Sequence, residues 1–126
     1  MHIAVAIPCY KVTQHVLGVI AAIGPEVKTI YAVDDACPDG SGRFIEENNC
    51  DLRVQVLYNP ENRGVGGAVA TAYAAAIADG MDIVVKIDGD GQMNPALLPH
   101  FVRPIARGQA DYAKGNRLYR PESLRG

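Results

Sequence analysis

Met81-Asp82-Ile83-Val84-Val85-Lys86-Ile87-Asp88-Gly89-Asp90-Gly91-Gln92 is an apolar run that breaks off into acids and glycines. Ile83, Val84, Val85 and Ile87 have the continuous hydrophobicity of a strand covered on both faces, so a strand is expected over residues 81–87. The segment after it is different in kind. Carboxylates at i and i+2 on irregular backbone can turn toward one point, and glycines between them let a ligand approach closely. A hard cation such as Mg²⁺ or Mn²⁺ takes oxygen ligands and keeps positions for substrate phosphates. Asp88, Asp90 and the amide oxygen of Gln92 answer that demand. Asp-Gly pairs also form plain tight turns, but the placement directly after a buried strand favours a ligand site. An EF-hand loop needs Gly at its sixth position, and Met93 stands there.

Working outward, strands and helices alternate. Ala68–Ala78 is so rich in alanine that helix follows, its small side chains suit close packing on a sheet, and Gly80 closes it. Before it, residues 52–58 alternate as a strand and residues 59–67 form a loop of Asn, Pro and Gly. Ile3–Ile7 is a first buried strand. Thr13 is the expected cap of a helix carrying Val16, Leu17, Ile20 and Ile23, which Gly24-Pro25 ends. Thr29–Val33 is a second strand, closed by Asp34-Asp35. Residues 36–42 are turn-rich, and a short helix is expected over Arg43–Asn49. Beyond the acidic loop, Pro95 opens a helix to about Arg107. Tyr112–Lys114 reads as a short fifth strand, and after Arg117 the pattern runs out. The expected class is α/β, a mostly parallel sheet with helices on both faces, in a single domain over residues 1–126.

In such sheets ligands bind beyond the carboxyl ends of the strands. The loops at those ends are Pro8–Lys11, Asp34–Gly42, Asn59–Gly67 and Asp88–Asn94, and they hold every polar cluster of the chain. In the first, Pro8 ends the strand and Tyr10 either stacks on a base or packs. Asp34 and Asp35 can bond a base or ribose, or form turns and caps. Asn62-Arg63-Gly64-Val65-Gly66-Gly67 enters a helix, a geometry that suits anions. It lacks the P-loop ending, and it follows the third strand rather than the first, unlike a dinucleotide fingerprint.

Composition bounds the rest. A net charge of −2 leaves no nucleic-acid footprint. Basic residues gather from Arg103 onward (Arg107, Lys114, Arg117, Arg120, Arg125), as a solvated face or a phosphate-holding rim. The three cysteines have no C-x-x-C pair, which argues against a disulfide framework or zinc site and for a cytoplasmic setting. No run approaches the ~18–20 apolar residues of a membrane span. His2, His15 and His100 have no ligand spacing.

In order along the chain, Ile7-Pro8-Cys9-Tyr10-Lys11-Val12, Val33-Asp34-Asp35-Ala36-Cys37-Pro38-Asp39-Gly40, Asn62–Ala68, Asp88–Pro95 and Gly115-Asn116-Arg117 resemble the motifs of a family 2 glycosyltransferase of the dolichol-phosphate-mannose synthase-like branch. Lys11 and Val12 stand where that pattern has Asn-Glu. The resemblance implies a Rossmann-like GT-A fold and a nucleoside-diphosphate sugar donor. It implies that Pro8, Tyr10, Val33 and Asp35 border the base and ribose. Asp88, Gly89, Asp90 and Gln92 would hold the diphosphate and a Mg²⁺ or Mn²⁺ ion, with Asp90 and Gln92 as direct ligands. Arg117 would face a phosphate. The acceptor, a lipid phosphate or a glycan, would be held by sequence that the family places beyond Gly126. The expectation is therefore a truncated, donor-side portion of a longer enzyme, inactive by itself, which would meet the cytoplasmic face of a membrane only through other parts and is open to self-association. The alternatives are a non-catalytic nucleotide-binding module and a nucleotidyltransferase, though the latter usually carries a basic glycine-rich loop after its first strand.

Overall fold

The computed structural model describes residues 2–89, 112–113 and 116–119. In chain order these form β1 (Ile3–Cys9), α1 (Val16–Ala22), β2 (Thr29–Asp34), α2 (Ser41–Asn48), β3 (Val54–Tyr58), α3 (Gly64–Ala78), β4 (Ile83–Lys86), β5 (Tyr112–Ala113) and β6 (Asn116–Tyr119). The strand order is β3-β2-β1-β4-β6-β5. The first four strands are parallel, as the alternation requires. Ala4 of β1 is in register with Thr29 of β2, Ile3 with Ile83 of β4, and Ile30 with Val54 of β3.

The side-chain alternation of β1 sorts the core into two layers. Ile3, Val5, Ile7 and Cys9 face one side and pack with Val16, Val19 and Ile20 of α1 and Ile45 of α2. Ala4 and Ala6 face the other, against Ala68, Ala72 and Ala76 of α3. Alanine on both surfaces brings helix and sheet together closely, as the composition of α3 suggested. Larger side chains complete this second layer: Tyr31, fully buried, donates its hydroxyl to Asp79 at 2.5 Å, and desolvation together with that carboxylate pushes the phenol well above its ordinary pKa.

Several local expectations are corrected. Thr13 caps nothing. The N–H groups of His15 and Val16 both donate to Val12 O, at 3.0 and 2.9 Å, and the N-cap residue of α1 is His15. α2 starts at Ser41, two residues early, and α3 at Gly64, inside the expected loop. Gly64 takes φ 75°, a left-handed conformation that glycine adopts without Cβ strain. β3 starts at Val54 and is only half-buried, as an edge strand. After Arg117 the chain does not lapse: β6 runs to Tyr119 and pairs antiparallel with β4, Val84 facing Tyr119 and Val85 facing Leu118. It pairs in turn with β5, which covers Tyr112–Ala113 of the expected fifth strand; Lys114 lies outside the described residues. The expected helix over 95–107 lies outside the described residues.

Candidate functional site

The chain runs from β1 to β2 on one side of the sheet and from β3 across to β4 on the other, so the order reverses beside β1. At the carboxyl edge there, a cavity of about 360 Å³ opens. Three strand ends that are distant in sequence line it: Pro8 at the end of β1 with Tyr10, Lys11 and Val12 after it, Asp35 after β2, and Asp88 with Gly89 after β4. Gly64, Val65 and Ala68 of α3 close the fourth side. This is the crevice at a topological switch point where α/β sheets bind ligands.

The two acids that end β2 divide their work. Asp34 is buried and accepts the N–H of Cys37 on Oδ1 at 2.7 Å and the N–H of Gly42 on Oδ2 at 2.8 Å. It thereby closes the 36–42 turn and caps α2, which has no capping side chain of its own. Asp35 points its carboxylate the other way, to the segment that enters α3. Its Oδ1 accepts from Asn59 Nδ2 at 2.8 Å and from the N–H of Arg63 at 3.0 Å, and Oδ2 accepts from that same N–H at 3.1 Å. Asp35 is 3% exposed and still forms part of the cavity wall.

The β1 loop is held from behind. Lys11 has φ 57°, in the left-handed region where Asn is enriched and Lys is uncommon. Its N–H donates to Cys37 Sγ at 3.1 Å, and that sulfur lies 3.1 Å from Ser41 Oγ. Burial raises the Cys37 pKa, but the donors from Ser41, Lys11 and Asp39 outweigh it and the thiol lies below its usual value. Cys9 shows the opposite balance: desolvation, then the charges of Asp34 and Cys37, push it up to about 12. The Lys11 ammonium stands 5.6 Å from the centroid of the Tyr10 ring, within cation–π range. Val12 is buried and lies against Gly89, where an added Cβ would sit 3.3 Å from Val12 Cγ2 and 3.1 Å from Ile7 Cγ2. Any side chain at 89 would therefore require Ile7 and Val12 to give by a few tenths of an ångström.

Of the expected site residues, Pro8, Tyr10, Asp35, Gly64, Asp88 and Gly89 meet at the cavity. Val33 does not reach it: the side chain is fully buried between the sheet and α3. Arg63 contributes its N–H to Asp35, while its side chain is not part of the wall. Asp90 and Gln92 lie outside the described residues; Arg117 is on β6, paired with Tyr112. Among the described residues no group of three His, Cys, Asp or Glu is placed to hold a metal ion. Asp88, with its side chain 42% exposed, already attracts a cation: Lys86 Nζ lies 2.8 Å from its Oδ1. Reading the sequence missed three contributors. Lys86 is a lone charge at the end of an apolar strand, Asn59 is the first residue past β3, and Thr71 is the one threonine in an alanine-rich helix; each of those oddities was a signal.

The model of the family described as glycosyl transferase family 2 matches residues 4–125. The chain belongs to that family. Within it, an undecaprenyl-phosphate mannosyltransferase of Micrococcus luteus is 31% identical over 121 residues, covering 93% of this chain and 49% of that protein. Among solved structures, a mannosyltransferase from Pyrobaculum calidifontis in complex with GDP-Man and Mn²⁺ superposes with a TM-score of 0.58 at 26% identity, over 71% of this chain and 27% of that one. Glucosyl-3-phosphoglycerate synthase from Mycobacterium tuberculosis gives 0.67 at 24% identity, over 82% and 39% respectively, and shares the GT-A fold. The chain spans about half the length of the curated relatives it matches. Among the described residues no helix is long and apolar enough to cross a membrane.

Proposed function

We propose that this chain is the donor-binding side of a glycosyltransferase that takes a nucleoside-diphosphate sugar and passes the sugar to a lipid phosphate or glycan. The carrying observation is the convergence of Tyr10, Asp35 and Asp88 from three strand ends on one cavity, which gives it an aromatic face, a fixed acceptor and a phosphate-side carboxylate. Tyr10 and Pro8 would cover the base, and Asp35 would accept from a base N–H or a ribose hydroxyl. The start of α3 at Gly64 would face the diphosphate, since the first turn of a helix has free N–H donors.

Asp88, Asp90 and Gln92 would hold the Mg²⁺ or Mn²⁺ ion; the Asp88 carboxylate, a hard oxygen ligand on the cavity wall with its side chain 42% exposed, is a fitting first ligand. When bound, the ion supplies charge neutralisation for the leaving diphosphate. Transfer forms a bond from an acceptor oxygen to the anomeric carbon and breaks the bond to the diphosphate, which leaves with the electron pair. A phosphate acceptor is anionic and brings no proton to remove. The Micrococcus luteus relative supports that class of acceptor.

Calorimetric titration with UDP and GDP, with and without Mn²⁺, tests this reading. Mn²⁺ is expected to tighten nucleotide binding at least tenfold, and Asp88→Asn and Asp90→Asn to abolish that gain with little effect on folding. Equal affinity with and without the metal would instead favour a metal-independent nucleotide-binding module.

A further inference from the structure

Among the described residues Asp35 is the one buried carboxylate on the cavity wall, and what fixes it stands behind the wall. Asn59 is 6% exposed, and its backbone N–H donates to Asp34 O at 2.9 Å, so the residue is anchored at the end of β2. Its side-chain Nδ2 donates to Asp35 Oδ1 at 2.8 Å. A carboxylate only accepts, so this orientation of the amide is forced, and Asn59 Oδ1 must then find a donor. It finds Thr71 Oγ1, on α3, at 2.8 Å. The same hydroxyl lies 3.1 Å from Gly67 O, a longer contact. The hydrogen bonds therefore run in one direction, from Thr71 to Asn59 to Asp35.

We infer that Asn59 and Thr71 are a positioning pair, which holds Asp35 in its acceptor orientation and so sets affinity for the nucleoside part of the donor. The inference rests on the proposed reading of Asp35 as the nucleoside-facing carboxylate. Neither residue lines the cavity, so neither touches the ligand itself. Without the Thr71 hydroxyl, Asn59 Oδ1 is buried with no donor from α3. A flip of the amide would satisfy nothing, because it would turn Oδ1 against the Asp35 carboxylate. The carboxylate then keeps only the Arg63 N–H as a firm partner. The Arg63 N–H keeps its bonds to Asp35 without the Thr71 hydroxyl, so the start of α3 that would face the diphosphate stays anchored.

That asymmetry defines the test. Binding of UDP and GDP with Mn²⁺ is compared with binding of inorganic pyrophosphate with Mn²⁺, in the whole chain. Thr71→Val keeps the shape and removes the donor; Thr71→Ser keeps the donor; Thr71→Ala, a good helix residue, replaces the Val variant if that does not fold. One neutral hydrogen bond corresponds to a loss of about three- to tenfold in nucleotide affinity. That loss is expected for Val or Ala, with Ser restoring wild-type affinity, pyrophosphate unchanged, and melting midpoints close together. Equal loss for nucleotide and pyrophosphate, or no rescue by Ser, overturns the positioning role. Asp35→Asn separates the two levels of the argument. If it weakens nucleotide binding while Thr71→Val does not, the positioning pair is wrong and the role of Asp35 stands. If it leaves nucleotide binding unchanged, the reading of Asp35 falls, and the pair with it.

Discussion

Replacing Asp34 by Asn alters one atom's chemistry and no volume. Each Asp34 oxygen serves one N–H, Cys37 at 2.7 Å and Gly42 at 2.8 Å, both facing a residue 5% exposed. An amide has one acceptor, so one of these N–H groups must face an NH₂. The variant loses one bond to a charged acceptor, worth roughly 1.5–3 kcal/mol, and keeps the other in weaker, neutral form. About 2–3 kcal/mol of destabilisation follows, with no cavity term. With a urea m-value of ~2 kcal/mol/M, the midpoint should fall by about 1 M at unchanged m. The melting midpoint should fall by roughly 10 °C. Urea unfolding followed by circular dichroism measures both. A variant within ~0.5 kcal/mol of wild type, the usual scatter of neutral surface changes, would refute the view that Asp34 holds the 36–42 turn and caps α2.

Two further outcomes are expected. Arg53 donates to the carbonyls of Ile23, Gly24 and Val27 and pairs with Asp51 at 2.8 Å, clamping the amino edge of the sheet. Arg53→Met should cost about 2 kcal/mol, discounted for partial exposure, and leave nucleotide affinity within about twofold; a large affinity change would contradict the separation of the two edges. Cys37, with its pKa below that of a free thiol, about 8.5, should alkylate in a Cys50→Ser background with an inflection below that pH, while buried Cys9 stays inert. Since the folded value is the lower one, these bonds stabilise fully above the unfolded pKa, and that contribution is lost as pH falls through the folded pKa. Ser41→Ala should move the inflection up; an unshifted profile would count against the hydrogen-bonded sulfur.

The parallel layers were legible because β1, β2 and β4 are buried on both faces and display it as unbroken apolar runs. β6 was not, since Asn116-Arg117-Leu118-Tyr119 has too few residues for a period; its strand character comes from pairing with β4. The helix starts were misread for a related reason. Caps were sought among neighbours in sequence, whereas α2 is capped by Asp34 and the entry to α3 by Asp35, both from the end of β2. The convergence of Tyr10, Asp35 and Asp88 followed from the rule about strand ends alone. The resemblance pointed to Asp35 rather than Asp34, but the partners of the two acids were not legible, because neighbouring side chains point to opposite faces and only the fold says what lies on each.

β1 precedes the other described strands in the chain, yet it lies in the interior of the sheet. It meets β2 early, but the edge that takes β4 waits for Ile83 to join Ile3, and the N–H of His2 waits for Asp82, 80 residues away. Such distant pairing raises contact order and slows folding. Until it forms, a flat, apolar strand edge of the kind that templates aggregation is bare in the nascent chain. Asp88 and Gly89 follow β4 directly, so the cavity is assembled only when that late strand docks. A ligand that bridges the β1 and β4 loops would therefore bind only the state in which β4 has docked, and stabilise that state by mass action.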